Sequence, residues 1–241
     1  MIKIGDWLSE GWALIKDDIV TFAVAALLVG LIGSLTLGIC LPALSVGLFM
    51  MVFKKMRGET IAIGDVFQGF SKFGPAFVAV IVLAVAVGLI GVVLNFIPIL
   101  GQIAASLLGV VVGGAMFYLL PLIATTDISG IDAIKASLEK TKPQIVMYSV
   151  TAFVYSLVSG LGAIACFVGQ FVTWPLTIAA MALAYRDNFG LPGTAPGAPA
   201  AAPAAAPSAA PMPPQAPPAA PPPSPEPPTP EPPTPQPPAG Q

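Results

Sequence analysis

Ile63-Gly64-Asp65-Val66-Phe67 is the stretch on which the fold turns. Close variants stand at Ile4-Gly5-Asp6-Trp7-Leu8 and at Gly130-Ile131-Asp132-Ala133-Ile134. Each copy opens a short segment that is half apolar and half charged, and each is followed by a long stretch with no charge. No Asp, Glu, Lys or Arg occurs between Asp18 and Lys54, between Lys72 and Asp127, or between Lys142 and Arg186. Uncharged stretches of this length exceed what one buried helix of a soluble domain needs, and they place the chain among helical membrane proteins.

The three opening segments have helical periodicity. In the first, Trp7, Leu8, Gly11, Trp12, Ile15 and Ile19 recur every three or four residues, opposite Glu10, Lys16 and Asp17. The spacing predicts an amphipathic helix on the membrane surface, with Trp7 and Trp12 as anchors in the headgroup region. Asp6, Asp65 and Asp132 are expected as helix caps, each accepting an amide hydrogen bond at the positive end of a helix dipole. The aspartates are 59 and 67 residues apart, which suggests an internal repeat.

Each uncharged block is too long for one crossing. Ile19 to Phe53 as a single straight helix would measure about 52 Å, against a hydrocarbon core of about 30 Å. Gly38 and Pro42 break the first block and Asn95-Phe96-Ile97-Pro98 the second, with Gly160-Leu161-Gly162 at or near the third turn. The expected fold is therefore all-α, with six transmembrane helices as three hairpins (about 19–53, 76–124 and 144–185). An even number of spans per block puts all ten Lys and Arg on one side. The positive-inside rule makes that side cytoplasmic, with both ends of the chain there. Within the fourth span Gly101, Ala105, Gly109 and Gly113 repeat every four residues, the pattern of a helix-packing seam.

Residues 1–190 form the expected membrane domain. Beyond them the composition becomes Pro and Ala and ends in Pro-Glu-Pro-Pro-Thr-Pro repeats. Such a tail (191–241) has no apolar periodicity from which to build a core and is expected to be extended and disordered. Its Pro-x-x-Pro frames fit either a plain spacer or a ligand for a polyproline-binding partner.

Composition narrows function as well. The chain is 56% hydrophobic and 9% charged, has a mean hydropathy of +0.86 and contains no histidine. No Asp, Glu, Lys or Arg falls inside an expected span, so the sequence offers no buried acid–base pair, no metal-ligand cluster and no cofactor motif. Ion coupling generally needs such groups at depth. Cys40 and Cys166 lie near the outer turns of hairpins one and three; they are either a disulfide clamp or two separately buried small side chains. Membrane lipids are the expected partners, nucleic acid is not, and the oligomeric state is open.

Four fragments together resemble a widespread bacterial family of uncharacterised six-helix integral membrane proteins. They are Ile4-Gly5-Asp6-Trp7-Leu8-Ser9-Glu10-Gly11-Trp12, Lys55-Met56-Arg57-Gly58-Glu59, Gly64-Asp65-Val66-Phe67-Gln68-Gly69-Phe70 and Ala184-Tyr185-Arg186-Asp187. That family is similar to the membrane domain attached to some glycerophosphodiester phosphodiesterases. The resemblance covers about Ile2 to Phe189 and implies a bacterial inner-membrane protein; it carries over no catalytic residue. The expected function is a non-enzymatic scaffold or membrane-organising role. The alternative is a facilitative transporter or lipid translocator for an uncharged or amphipathic substrate.

Overall fold

The computed structural model describes residues 3–97, 99–164 and 169–193. Cys166, Pro98 and the proline-rich tail beyond Gly193 lie outside the described residues, and with them the expectations placed there. The described residues are helical and contain no strand.

Helix α1 (Ile4–Ile15) runs through one 3-10 turn at Lys16–Asp18 into α2 (Ile19–Leu35). A turn at 36–40, with Leu37 at φ 50° and Gly38 at φ 86°, reverses the chain into α3 (Leu41–Met56). Pro42 falls in the first turn of α3, where its missing N–H costs nothing. A 3-10 segment, Ile63–Lys72, then leads directly into α4 (Phe73–Asn95). Helices α5 (Leu100–Ala115) and α6 (Leu119–Thr125) follow, then α7 (Gly130–Thr141), α8 (Ile145–Ile164) and α9 (Gln170–Phe189). Each of the three related stretches thus opens a bent but continuous helical segment: Ile4–Leu35, Ile63–Asn95 and Gly130–Gly162, of 32, 33 and 33 residues.

Among the described residues, these three segments and Leu100–Thr125 are the four long and apolar enough to cross a membrane. α4 is the clearest case. Over 23 residues only Ala76 and Ala79 are buried, leaving Val82, Val85, Leu89, Val92 and Val93 exposed. A helix this bare and this apolar calls for a hydrocarbon surround. α3 and α9 are built differently. α3 is only 16 residues long and buries ten of them, and α9 buries an almost unbroken run from Pro175 to Tyr185. They form the inside of the bundle, where protein surrounds the polar Thr177 and the Pro175 that stands inside α9.

The opening segments do more than lie on a surface. α1 packs along α9, the 63–72 segment along α3, and α7 against α4 and α6. The residue after each aspartate points inward: Trp7, Val66 and Ala133 are buried. In α1 and α7 the buried face continues four and eight residues on, through Gly11 and Ile15 and through Ser137 and Thr141. In the 3-10 segment the next buried residue is Gly69, three on, as a helix of three residues per turn requires. The same geometry eclipses the outer face. Phe67, Phe70 and Phe73 stack at centroid spacings of 6.4 and 6.3 Å with planes within 13° and 9° of parallel, and Phe77 of α4 extends the stack at 5.2 Å.

Several sequence expectations need correction. Asp6, Asp65 and Asp132 are third residues of their helices; the N-caps are Lys3, Ala62 and Ser129. The expected fourth span is interrupted at Met116–Tyr118, between α5 and α6. The break persists because α7 caps it: Ser137 Oγ and Thr141 Oγ1 donate to the Ala115 carbonyl at 2.8 and 3.1 Å, and the Tyr118 N–H donates to Ser137 Oγ at 3.3 Å. Gly160-Leu161-Gly162 lies inside the last turns of α8, which runs on to Ile164, and so sits near the end of that helix and not in the turn itself.

Candidate functional site

All four charged stretches of the described chain meet at one end of the bundle. Arg186, at the end of α9, reaches α1 through a two-pronged pair, Nη1 to Glu10 Oε1 at 2.7 Å and Nη2 to Oε2 at 3.2 Å. Asp187 beside it accepts the Trp7 indole N–H at 2.9 Å. This explains why Trp7 is no headgroup anchor: its ring is 2% exposed and its polar atom is satisfied inside the protein, whereas Trp12 is 46% exposed. At the end of α3, Lys55 pairs with Asp18 and Lys54 donates to Asp65 at 3.0 Å. Lys72 pairs with Asp127 and donates to the Thr126 carbonyl at 3.0 Å. Lys140 lies 5.0 Å above the Phe189 ring, a cation–π contact that ties α7 to α9.

Of the three aspartates only Asp65 is buried. Besides Lys54, its carboxylate accepts the Ala62 N–H at 2.9 Å and the Gln68 amide at 2.7 Å. Burial pushes its pKa up, and the Ala62 amide and Lys54 ammonium outweigh that push, so the carboxyl titrates below its ordinary range. Asp6 and Asp132 are exposed; Asp132 accepts the Ser129 hydroxyl at 2.7 Å. The related positions therefore share a place in their helices and not a site.

Behind the charged end lies an aromatic cluster that holds all four tyrosines of the protein. Tyr118 and Tyr148 hydroxyls are 3.1 Å apart, Asn188 donates to Tyr118 at 2.9 Å, and Tyr185 bonds Thr125 at 2.8 Å. Phe117 packs on Tyr118, Tyr148 and Tyr155 with centroids 5.1 to 5.9 Å away. Tyr118 and Tyr155 are visible in the sequence as polar groups at depth. Their convergence with Tyr148 and Tyr185 depends on the α5–α6 break, which carries no turn residue to announce it.

Openings to the surface among the described residues include two. A cleft of about 400 Å³ at the charged end has Met50, Phe53 and Ala124 as its apolar lining and Lys54, Arg57, Glu59, Gln68 and Thr125 as its polar one, with Pro192 beside them. A groove of about 280 Å³ runs between α5 and α8, lined by Ser106, Gly109, Val110, Gly113, Ala152, Phe153 and Ser156. The small-residue stripe is therefore divided. Gly101 packs on Leu94 near the end of α4, Gly109 faces open space, and Gly113 faces Ala152 across the groove, while Ala105 is half-buried. The tight approach of α5 to α8 comes at Gly114, outside the stripe, where an added Cβ would meet the Ser149 backbone nitrogen at 2.5 Å. Among the described residues no three His, Cys, Asp or Glu side chains come together as a metal-ligand set. Cys40 is a free, half-buried thiol.

What fold and site define together is a helical protein with four helices long and apolar enough to span a membrane and a charged end bound by ion pairs. No protein-family model, curated protein or solved structure matches the chain.

Proposed function

We propose that the chain is a non-enzymatic scaffold or membrane-organising protein of the bacterial inner membrane. In this reading it crosses six times, as three hairpins made by α2 and α3, by α4 with α5 and α6, and by α8 and α9. Both ends of the chain are cytoplasmic, and the proline-rich tail is a tether for a polyproline-binding partner. Support for the topology comes from the pairs Lys55–Asp18 and Lys72–Asp127, each of which joins the end of one expected hairpin to its beginning. The pattern of three opening segments, each docked on a neighbouring helix, supports an internal repeat. The family resemblance of the four sequence fragments points the same way.

The observation that carries the scaffold reading is the filled interior. α3 and α9 are buried between the outer helices, and the space beside them holds Phe117 and the tyrosines packed ring against ring. Such a bundle presents surfaces to lipid. Reconstitution into vesicles tests it: solute and fluorescent-lipid movement should equal that of protein-free vesicles, and flux above that background across a broad panel would refute the scaffold reading. One observation favours the translocator alternative, namely the α5–α8 groove, whose lining carries the hydroxyls of Ser106 and Ser156 among apolar residues. Lipid scrambling that Gly109→Leu abolishes would establish that reading instead.

A further inference from the structure

The cleft at the charged end joins two surfaces of opposite chemistry. Its floor is apolar, from Met50 and Phe53 on the last turns of α3 and Ala124 on α6. Its rim carries two cations one turn apart, Lys54 and Arg57, with the Gln68 amide close by. The cations are held differently. Lys54 is fixed by the buried Asp65, which takes one of its three N–H bonds and leaves the others to a ligand. Arg57 is paired with Glu59, an exposed residue two positions away, and its Nη1 donates to the Pro192 carbonyl only at the limit of a hydrogen bond, at 3.5 Å. An exposed pair of this kind contributes little, so an incoming anion can replace Glu59 at small cost. A guanidinium freed in that way presents its fork of donors to a tetrahedral oxyanion.

We propose that this cleft binds a phosphate ester, with the phosphate between Lys54 and Arg57 and the adjoining carbons over Met50 and Phe53. A cleft of about 400 Å³ falls within the range of small-molecule sites. Its place at the end of α3, where the apolar bundle meets the charged groups, is the depth at which a lipid headgroup would present such an ester. The same contacts would take a soluble phosphate ester. The site goes beyond the scaffold reading and does not depend on it, since a translocator could carry it equally well.

The test is native mass spectrometry of the full-length protein in detergent, titrated with phosphatidylglycerol, phosphatidylcholine and glycerol 3-phosphate, beside thermal unfolding of every variant. One phosphatidylglycerol should remain bound about tenfold more tightly than phosphatidylcholine. Arg57→Gln should remove that preference without lowering the unfolding temperature, because the side chain is at the surface. Met50→Trp, which fills the floor and leaves every charge in place, should also remove it, and Lys142→Gln, away from the cleft, should not. Displacement by millimolar glycerol 3-phosphate assigns the site to a soluble ester; retention of the lipid assigns it to a headgroup. Undiminished binding in both Arg57→Gln and Met50→Trp, or no phosphate-ester binding by the unaltered protein, overturns the proposal.

Discussion

Gly47→Ala should be among the most damaging single changes in this protein, although it adds one methyl group. Gly47 of α3 faces the backbone of the 63–72 segment, and a Cβ there would fall 2.6 Å from the Val66 carbonyl carbon and closer still to its oxygen. Ordinary contact begins at 3.4 Å. No rotamer change relieves the clash, because both partners are main chain. The crossing must therefore open by roughly an ångström, which also pulls Asp65 away from Lys54. Overpacking of this kind costs about 1–3 kcal/mol, and the coupled ion pair places Gly47→Ala at the upper end. Gly69→Ala, across the same crossing, would put its Cβ 2.9 Å from Gly47 Cα and should behave alike. Gly88→Ala in the bare middle of α4 meets nothing within 4 Å; there the gain in helix propensity should leave stability equal or raise it by about 0.5 kcal/mol. Thermal or denaturant unfolding of the purified protein, followed by circular dichroism, measures all three. A Gly47→Ala protein within about 0.5 kcal/mol of wild type would refute the claim that backbone contact sets this crossing.

Ser137→Ala removes a donor to the Ala115 carbonyl and the acceptor for the Tyr118 N–H, at a cost of about 1–3 kcal/mol; Thr141→Val alone should cost less, and the double variant more than the sum. Trp7→Phe keeps an aromatic ring but removes the N–H that Asp187 accepts and leaves a small void, while Arg186 still pairs with Asp187; it should lower stability by about 1–3 kcal/mol, whereas Trp12→Ser should leave unfolding unchanged and alter only partition into lipid. Because folding depresses the Asp65 pKa, its contribution to stability is complete above the ordinary carboxyl range and is lost as pH falls through the lower folded value. Stability should thus drop between neutral pH and about pH 3 by more in wild type than in Asp65→Asn, as parallel unfolding curves would reveal.

The sequence carries the helical class plainly, because hydropathy and charge spacing are local properties. The Thr36–Cys40 reversal was legible from Gly38 and Pro42, since glycine and proline act on their own backbone. The Met116–Tyr118 break was not, because its cause lies in Ser137 and Thr141 on another helix. Those hydroxyls could have been noticed as polar residues on the otherwise apolar side of the Asp132 segment. Periodicity identified the apolar face of α1 but could not decide whether lipid or protein covers it, and Trp7 and Trp12 consequently looked alike. The stripe from Gly101 to Gly113 is used only in part for a related reason: small residues permit close approach, and only the direction of a neighbouring helix decides that Gly101 and Gly113 meet one and Gly109 does not.

The hydroxyl clasp on Ala115 also bears on the order in which the protein can mature. The carbonyl is freed when α5 ends, yet its donors come 22 and 26 residues later in the chain. During synthesis that oxygen therefore has neither donor until α7 has emerged. The segment from Leu100 to Thr125 can take up its final form only after α7 docks, so the order of assembly in the second half of the bundle is written into this clasp.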